Sequence, residues 1–324
     1  MRQRHSRVRR RLGNAFLPRR APGIPNLSQE ISVLTVGVVG LGNMGRGMAL
    51  SLLRGGFKVV GTDASADTRR ALAGEGVETV DTVAEVASRA EVIVLSLPTA
   101  AIVTEVVTGS GGLLASARDG VLVIDTSTSH PDTTRRLARQ LAEVGMTLID
   151  APVSGGPKAA ITGQLTMVLG GGEADIARAE PVLTAMSTKR VRVGDVGAGH
   201  VAKIANNLMC AAHLIVAGEV ARLAKSAGVP TEQLLEGINA GSGRSGVTQV
   251  NFPTWVLNGA FNSGFTMKLM RKDVRLAAEL IDQTGLRLPL AAEVARLWSE
   301  SAESIGDDED FNRIVELGAE CTQA

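Results

Sequence analysis

The sequence predicts a doubly wound α/β domain with a mostly parallel sheet, followed by an all-α domain. Three observations point there. Short, wholly apolar runs alternate with Ala/Leu-rich helical stretches up to about Gly194. A glycine-rich turn follows the first of those runs. Past Asp195-Val196-Gly197 every periodic segment has helical spacing, and no strand-like run appears.

Val33 to Val39 is the first apolar run, and an Ala/Leu-rich helix after it ends near Arg54-Gly55-Gly56. Phe57 to Gly61 reads as the second strand and Ala66 to Ala73 as the next helix. Val92 to Leu97, Val121 to Asp125, Thr147 to Ala151 and Thr166 to Leu169 complete the strands. In the second half, Ala198 to Ala227 is one long apolar helix closed by Gly228 and Pro230. Thr231 to Asn239, Thr266 to Thr284, Leu290 to Glu303 and Asp310 to Leu317 follow it with helical spacing. The expected organisation is a basic tail over 1–32, an α/β domain over 33–196 and an all-helical domain over 197–324.

Composition narrows the function classes. The chain has 324 residues, room for two domains, and a formal net charge of +1. Eight arginines and no acid fall before Asn26, so the remainder is acidic and carries no footprint for nucleic acid. The tail reads as a disordered extension, with a transit peptide or a nucleic-acid-binding arm as alternatives. Tyrosine is absent and aromatics make up 2 %, too few for a base-stacking surface. No uninterrupted run of about 18 apolar residues exists, so no membrane span is expected. Cys210 and Cys321 have neither metal nor disulfide spacing, so no metal is expected, and a reducing, cytoplasmic setting fits.

Gly40-Leu41-Gly42-Asn43-Met44-Gly45 has the G-x-G-x-x-G spacing of a Rossmann-type dinucleotide turn. The motif alone is weak, but here a strand precedes it, a helix follows, and Asp63 ends the next strand. Gly40 permits the tight turn, Gly42 lets backbone approach a pyrophosphate, and Gly45 lets helix and strand pack closely. The helix N-terminus offers free N–H groups to the anion. A carboxylate at Asp63 accepts ribose hydroxyls and repels a 2′-phosphate, which favours NAD over NADP. Arg69 and Arg70 lie on the following helix and read as surface charges. Leu97-Pro98-Thr99 falls on the carboxyl edge where ligands bind in such sheets.

Two further stretches carry polar chemistry. Asp125-Thr126-Ser127-Thr128 and Ser154-Gly155-Gly156 put hydroxyls and backbone N–H groups at strand ends, suited to a carboxylate. Neither has a histidine read as activating a serine, since His130 reads as a helix-entry residue, so a hydrolase is disfavoured. Lys203 sits in the first turns of the apolar helix with Asn207 at i+4, on one face. A lysine desolvated near a helix N-terminus has a depressed pKa and can exchange a proton near neutrality. A snorkelling lysine fits the spacing equally well. His200 is the rival acid/base but has no carboxylate partner in sequence. His130 reads as a helix-entry residue and His213 as a core histidine. Lys272 and Asp273 lie in a basic amphipathic run, as a solvated face or entering a cleft, and Arg244 sits on a Gly/Ser loop, idle or reaching for a carboxylate.

Together G-L-G-N-M-G, D-T-S-T-S-H-P, D-A-P-V-S-G-G-P-K-A-A and G-A-G-H-V-A-K-I-A-N-N resemble the β-hydroxyacid dehydrogenases, as does the late L-M-R-K-D-V-R-L-A stretch. The resemblance runs from about Val33 to Leu317. It implies that Lys203 is the general acid/base, and that Ser127 and the Ser154-Gly155-Gly156 turn hold a substrate carboxylate. It also implies that Asn207, with Asn206, orients the substrate and that Lys272 reaches the nicotinamide and substrate cleft. The implied cofactor is NAD, the implied substrate a small anionic 3-hydroxy acid, and the implied assembly a homodimer or homotetramer, with 33–196 as the NAD-binding domain and 197–324 as the substrate and oligomerisation domain. A mitochondrial matrix setting is the alternative to the cytoplasm. The alternative function is a non-catalytic nucleotide-binding module that docks a partner through its basic tail.

Overall fold

The computed structural model describes residues 33–318; the Arg-rich segment and Cys321 lie outside them. The apolar runs become strands because helices cover both faces of the sheet. In β1 (Thr35–Val39), Val36 and Val38 pack against α1 (Asn43–Arg54), while Val39 joins the opposite core. After β2 (Lys58–Thr62) come α2 (Ala66–Ala73), the two-residue β3 (Glu78–Thr79) and α3 (Val83–Arg89). In β4 (Val92–Leu95), Val92 and Val94 face the first core, and Ile93 and Leu95 face the second. After α4 (Ala100–Thr108), β5 (Leu122–Asp125) alternates in the same way: Leu122 and Ile124 one way, Val123 the other. Period-two alternation is hidden in sequence because both alternating faces are apolar.

The chain continues through α5 (Pro131–Ala142), β6 (Thr147–Asp150), β7 (Val153–Ser154), α6 (Gly156–Thr162), β8 (Leu165–Gly170), α7 (Glu173–Met186) and β9 (Ser187–Gly194). The sheet order is β3-β2-β1-β4-β5-β6-β8-β7, with β9 paired to β8. From β3 to β6 every pairing is parallel, and the order reverses direction between β1 and β4, where such sheets open a ligand crevice. The expected parallel arrangement ends at β6. β8 runs antiparallel to β6 and β7, while β9 lies parallel to β8. β9 was not anticipated, because Ser-Thr-Lys-Arg-Val-Arg-Val-Gly is the charged, half-solvated sequence of an edge strand.

The second half is helical, as expected. α8 (Ala198–Ser226) runs 29 residues, and its end is marked by Gly228 at φ +83°. α9 (Thr231–Ala240), α10 (Met267–Thr284) and α11 (Pro289–Glu300) surround it, and Thr266 caps α10 through Leu269 N–H. One segment was not anticipated and one expected helix is of another kind. Val247–Val256 forms a π-helical stretch around Pro253, and the terminal segment Phe311–Glu316 is a 3₁₀ rather than an α-helix. α8 contains an 18-residue window of mean hydropathy 1.4, long and apolar enough to cross a membrane by length and composition. Here it is the central element of the helical core, lying against β8, β9 and α10. Trp298 Nε1 donates to its Ala211 carbonyl at 3.3 Å, and Phe265 and Phe311 stack edge to face nearby.

Candidate active site

The glycine turn is built as its spacing requires. Gly40 has φ +89°, and a Cβ there would lie 2.3 Å from the Ser96 carbonyl oxygen. A Cβ on Gly45 would sit 1.8 Å from the Gly40 carbonyl oxygen, so helix α1 could not approach the turn. Gly42 is different: no atom lies within 4 Å of where its Cβ would be. The exposed Gly42 and Asn43 open α1 without a side-chain cap, leaving first-turn N–H groups free for an anion. Leu41 contributes through its backbone, since its side chain is core and its N–H donates to Asp63 Oδ2 at 2.8 Å. Met44 packs, half-buried, against the same core. Asp63 Oδ1 accepts from Ser65 N–H at 2.9 Å, which holds the carboxylate at the mouth of the turn. Arg69 is no free surface charge: it donates to the Asp63 carbonyl at 2.6 Å and pairs with Asp81 at 2.9 Å. An open cradle, a helix N-terminus and a fixed carboxylate fit the phosphates and ribose of a dinucleotide.

Across the switch point, the turns after β4 and β5 are tied together. Leu97 N–H donates to Ser127 Oγ at 3.1 Å, and Thr99 caps α4. Lys272, from α10, reaches over this edge and donates to the carbonyls of Pro98 at 3.3 Å and Thr128 at 3.1 Å. One ammonium thus links the helical domain to two loops of the dinucleotide edge.

On the helical side, Lys203 Nζ donates to Ser154 Oγ at 3.1 Å. Burial holds its ammonium below the ordinary lysine range; Asp273 and then Cys210 oppose this, and Lys272 adds to it. Asn207 is buried and donates through Nδ2 to Asp273 Oδ2 at 2.6 Å, while its Oδ1 accepts from the exposed Asn206 at 3.0 Å. Asp273, 1 % exposed, lies with Oδ1 3.0 Å from Lys272 Nζ, an ion pair without hydrogen-bond alignment. It is the buried acid that fixes Asn207 and faces both lysines, so the solvated-face reading of Lys272-Asp273 is overturned. Gly155 and Gly156, both at positive φ, turn the chain from Ser154 into α6 and leave Gly155 exposed.

Sequence reasoning missed how α8 is anchored. Asp150, at the end of β6, is fully buried and accepts from Gly197 N–H at 2.6 Å and His200 N–H at 2.8 Å. It caps α8 from 47 residues away, a partnership only the fold creates. Burial pushes its carboxyl upward, opposed by His200 and by the two backbone donors. His200 is 0 % exposed, with Nδ1 2.7 Å from Thr134 Oγ1 and Nε2 3.0 Å from the Ser127 carbonyl. Asp125 Oδ2 lies 3.9 Å from that Nε2, so the missing carboxylate partner exists in space. Buried on every side, His200 cannot meet a substrate. His130 caps α5 as expected, and His213 is half-buried rather than core. Arg244 stays on its exposed loop and bonds only the Gly241 carbonyl among the described residues.

Two family models divide the chain at the point where the sheet gives way to helices. Residues 35–194 match the NAD binding domain of 6-phosphogluconate dehydrogenase, and 197–317 match the NAD-binding domain of NADP-dependent 3-hydroxyisobutyrate dehydrogenase. The chain belongs to the β-hydroxyacid dehydrogenase family. As a member it is a nicotinamide-dinucleotide-dependent dehydrogenase of hydroxy acids. Among its relatives, 2-(hydroxymethyl)glutarate dehydrogenase of Eubacterium barkeri is 33 % identical over 89 % of this chain and 96 % of that protein. A probable mitochondrial 3-hydroxyisobutyrate dehydrogenase of Arabidopsis thaliana is 35 % identical over 86 % of this chain and 85 % of its own. The solved 3-hydroxyisobutyrate dehydrogenase of Mycobacterium tuberculosis with L-serine superimposes with a TM-score of 0.83 at 32 % identity, covering 88 % of this chain and 99 % of that one.

Proposed function

We propose that this β-hydroxyacid dehydrogenase interconverts a small 3-hydroxy acid and its semialdehyde or 3-oxo acid, with Lys203 as general acid/base and NAD preferred to NADP. Candidate substrates are 3-hydroxyisobutyrate, tartronate semialdehyde or threonate-like acids. The observation that carries this reading is the Lys203–Ser154 contact at 3.1 Å, beside the dinucleotide edge that Lys272 spans. It puts a proton-exchanging amine within one hydroxyl of a carboxylate-binding turn.

In oxidation, the uncharged amine of Lys203 takes the proton of the substrate hydroxyl and becomes an ammonium. The Gly40–Gly45 turn and Asp63 would hold NAD, whose nicotinamide would supply the acceptor for the hydride leaving the carbinol carbon. Asn207, held by Asp273, retains one N–H to orient the substrate oxygen, and Asn206 supports that amide. Ser127 accepts from Leu97 through its oxygen, so its hydroxyl proton remains to meet a substrate carboxylate alongside the Ser154-Gly155-Gly156 turn. Lys272 supplies positive charge where the anion and the nicotinamide edge converge. In reduction each proton step reverses.

NAD preference follows from Asp63, whose charge repels a 2′-phosphate, and from Arg69, which is already engaged by Asp81 and the Asp63 carbonyl. A homo-oligomer is supported by α8, where Met209, Val216 and Leu223 recur every seventh residue and are 60 %, 50 % and 68 % exposed. The deciding experiment follows NADH and NADPH formation across a panel of small hydroxy acids. Turnover on one or two 3-hydroxy acids with NAD is the expected result. Binding of NAD without turnover on any of them would reject the substrate class and favour the non-catalytic module.

A further inference from the structure

His200 is the one fully buried imidazole among the described residues, and the proposed chemistry leaves it without a task. Its contacts are unusually complete. The ring Nε2 lies 3.0 Å from the Ser127 carbonyl oxygen, which can only accept, so Nε2 carries the proton and donates. Nδ1 meets the Thr134 hydroxyl of α5 at 2.7 Å, and the backbone N–H donates to Asp150 at the end of β6. One residue therefore fastens the first turn of α8 to three separate elements of the dinucleotide domain.

The positions of those anchors matter. Lys203 follows His200 by three residues, on the same side of the helix. Ser127, whose carbonyl the ring holds, presents its hydroxyl to Leu97 N–H on the neighbouring turn. The Lys272 ammonium grips the next residues on, at Thr128 and Pro98. A continuous line thus runs from the dinucleotide edge through Ser127 and His200 into the turn of helix that carries Lys203. An apolar side chain would fill the same volume yet leave the Ser127 carbonyl unpaired and the loop free to shift.

We propose that His200 is a positioning residue, whose Nε2–H to Ser127 bond sets the spacing between the Lys203 amine and the Ser127 turn. The proposal rests on the 3-hydroxy acid reading for its kinetic consequence, though not for the clamp itself. Misplacing a reacting pair by about 1 Å is enough to lower turnover by about a hundred-fold.

Two isosteric variants separate the ring's contacts. His200→Gln places an amide N–H near the Nε2 position and can keep the Ser127 bond; His200→Asn places one near Nδ1, facing Thr134, and cannot. Backbone hydrogen exchange over 126–130 is read without any substrate, next to kcat and KM for the best hydroxy acid and the Kd for NADH. The clamp requires faster exchange over that segment in His200→Asn and near-wild-type exchange in His200→Gln. It also requires kcat/KM lowered by about ten-fold or more in the Asn variant, restored to within about three-fold in the Gln variant, with NADH affinity little changed. Equal exchange in both variants, or equal loss of activity in both, overturns it. If the wild type oxidises none of the acids, the substrate reading fails while the exchange comparison still decides the clamp. Should His200→Asn not fold, Thr134→Val in the chain that keeps His200 replaces it. That variant removes the Nδ1 partner alone and is expected to keep slow exchange at the Ser127 turn, whereas fast exchange there assigns the anchoring to Thr134 and overturns the proposal.

Discussion

At the scale of single residues, two side chains decide what the site can do. Lys203 is a desolvated amine facing a buried acid, and the two effects oppose each other. Burial prevails, so the amine loses its proton below the ordinary lysine range. Oxidation needs the free amine, so its rate is expected to rise with pH through the Lys203 pKa and to level off at a lower pH than an ordinary lysine would set. Reduction needs the ammonium and is expected to fall through the same pKa. Lys203→Met is expected to lower turnover by a few hundred-fold, about the size of a lost general acid/base, and to abolish this titration while NAD affinity stays within about two-fold. A normal kcat in that variant would refute the assigned role. Asp63 is the residue proposed to set the cofactor preference: Asp63→Ala is expected to relax the NAD over NADP preference by about ten-fold, checked by kcat/KM for each dinucleotide. The place of Asp63 at the end of the second strand was legible from spacing, whereas spacing left Lys203 open between a desolvated and a snorkelling lysine. Asp273 was only half legible, since nothing in Arg-Lys-Asp-Val-Arg says that the acid turns inward onto Asn207 while Arg275, two residues on, is exposed.

At the scale of elements, α8 depends on an acid that belongs to another element. Its first residue follows Gly197 at φ +90°, which offers no side-chain cap, and Asp150 supplies both missing acceptors. Asp150→Ala leaves two buried N–H groups unpaired and is expected to cost about 2–4 kcal/mol, measured by urea unfolding, with activity lost in parallel because the turn of Lys203 loosens. Stability within about 0.5 kcal/mol of wild type would show that other groups satisfy those donors. Such long-range caps leave no local signature, which is why this one escaped the sequence. The strands show the same division. β1, β4 and β5 were legible because both their faces are buried, and apolar side chains follow one another without a break. β9 alternates charge and valine at an open edge, and the turn at Pro253 widens into a helix whose spacing matches neither common period.

At the scale of the whole molecule, the division into a sheet-based half and a helical half was legible from the change of pattern near Gly197, and the layout of the site followed from the carboxyl edges of β1 and β4. What sequence could not supply was the closure between the halves, made by Lys272, His200 and Asp150 over spans of tens to more than a hundred residues. Assembly is expected to use the face of α8 that carries Met209 and Leu223. The double variant Met209→Glu, Leu223→Glu is expected to lower the sedimenting mass toward one chain, and an unchanged mass would place the interface elsewhere. Gly42, finally, separates surviving from working. Its φ of −63° suits any residue, and nothing crowds the place where a methyl would sit. Gly42→Ala is therefore expected to match the wild type in melting temperature and yield while NADH titration shows its affinity gone, and retained affinity would place the pyrophosphate elsewhere. A library sorted on expression or heat resistance would keep that clone and discard Gly45→Ala, although neither is expected to hold a dinucleotide.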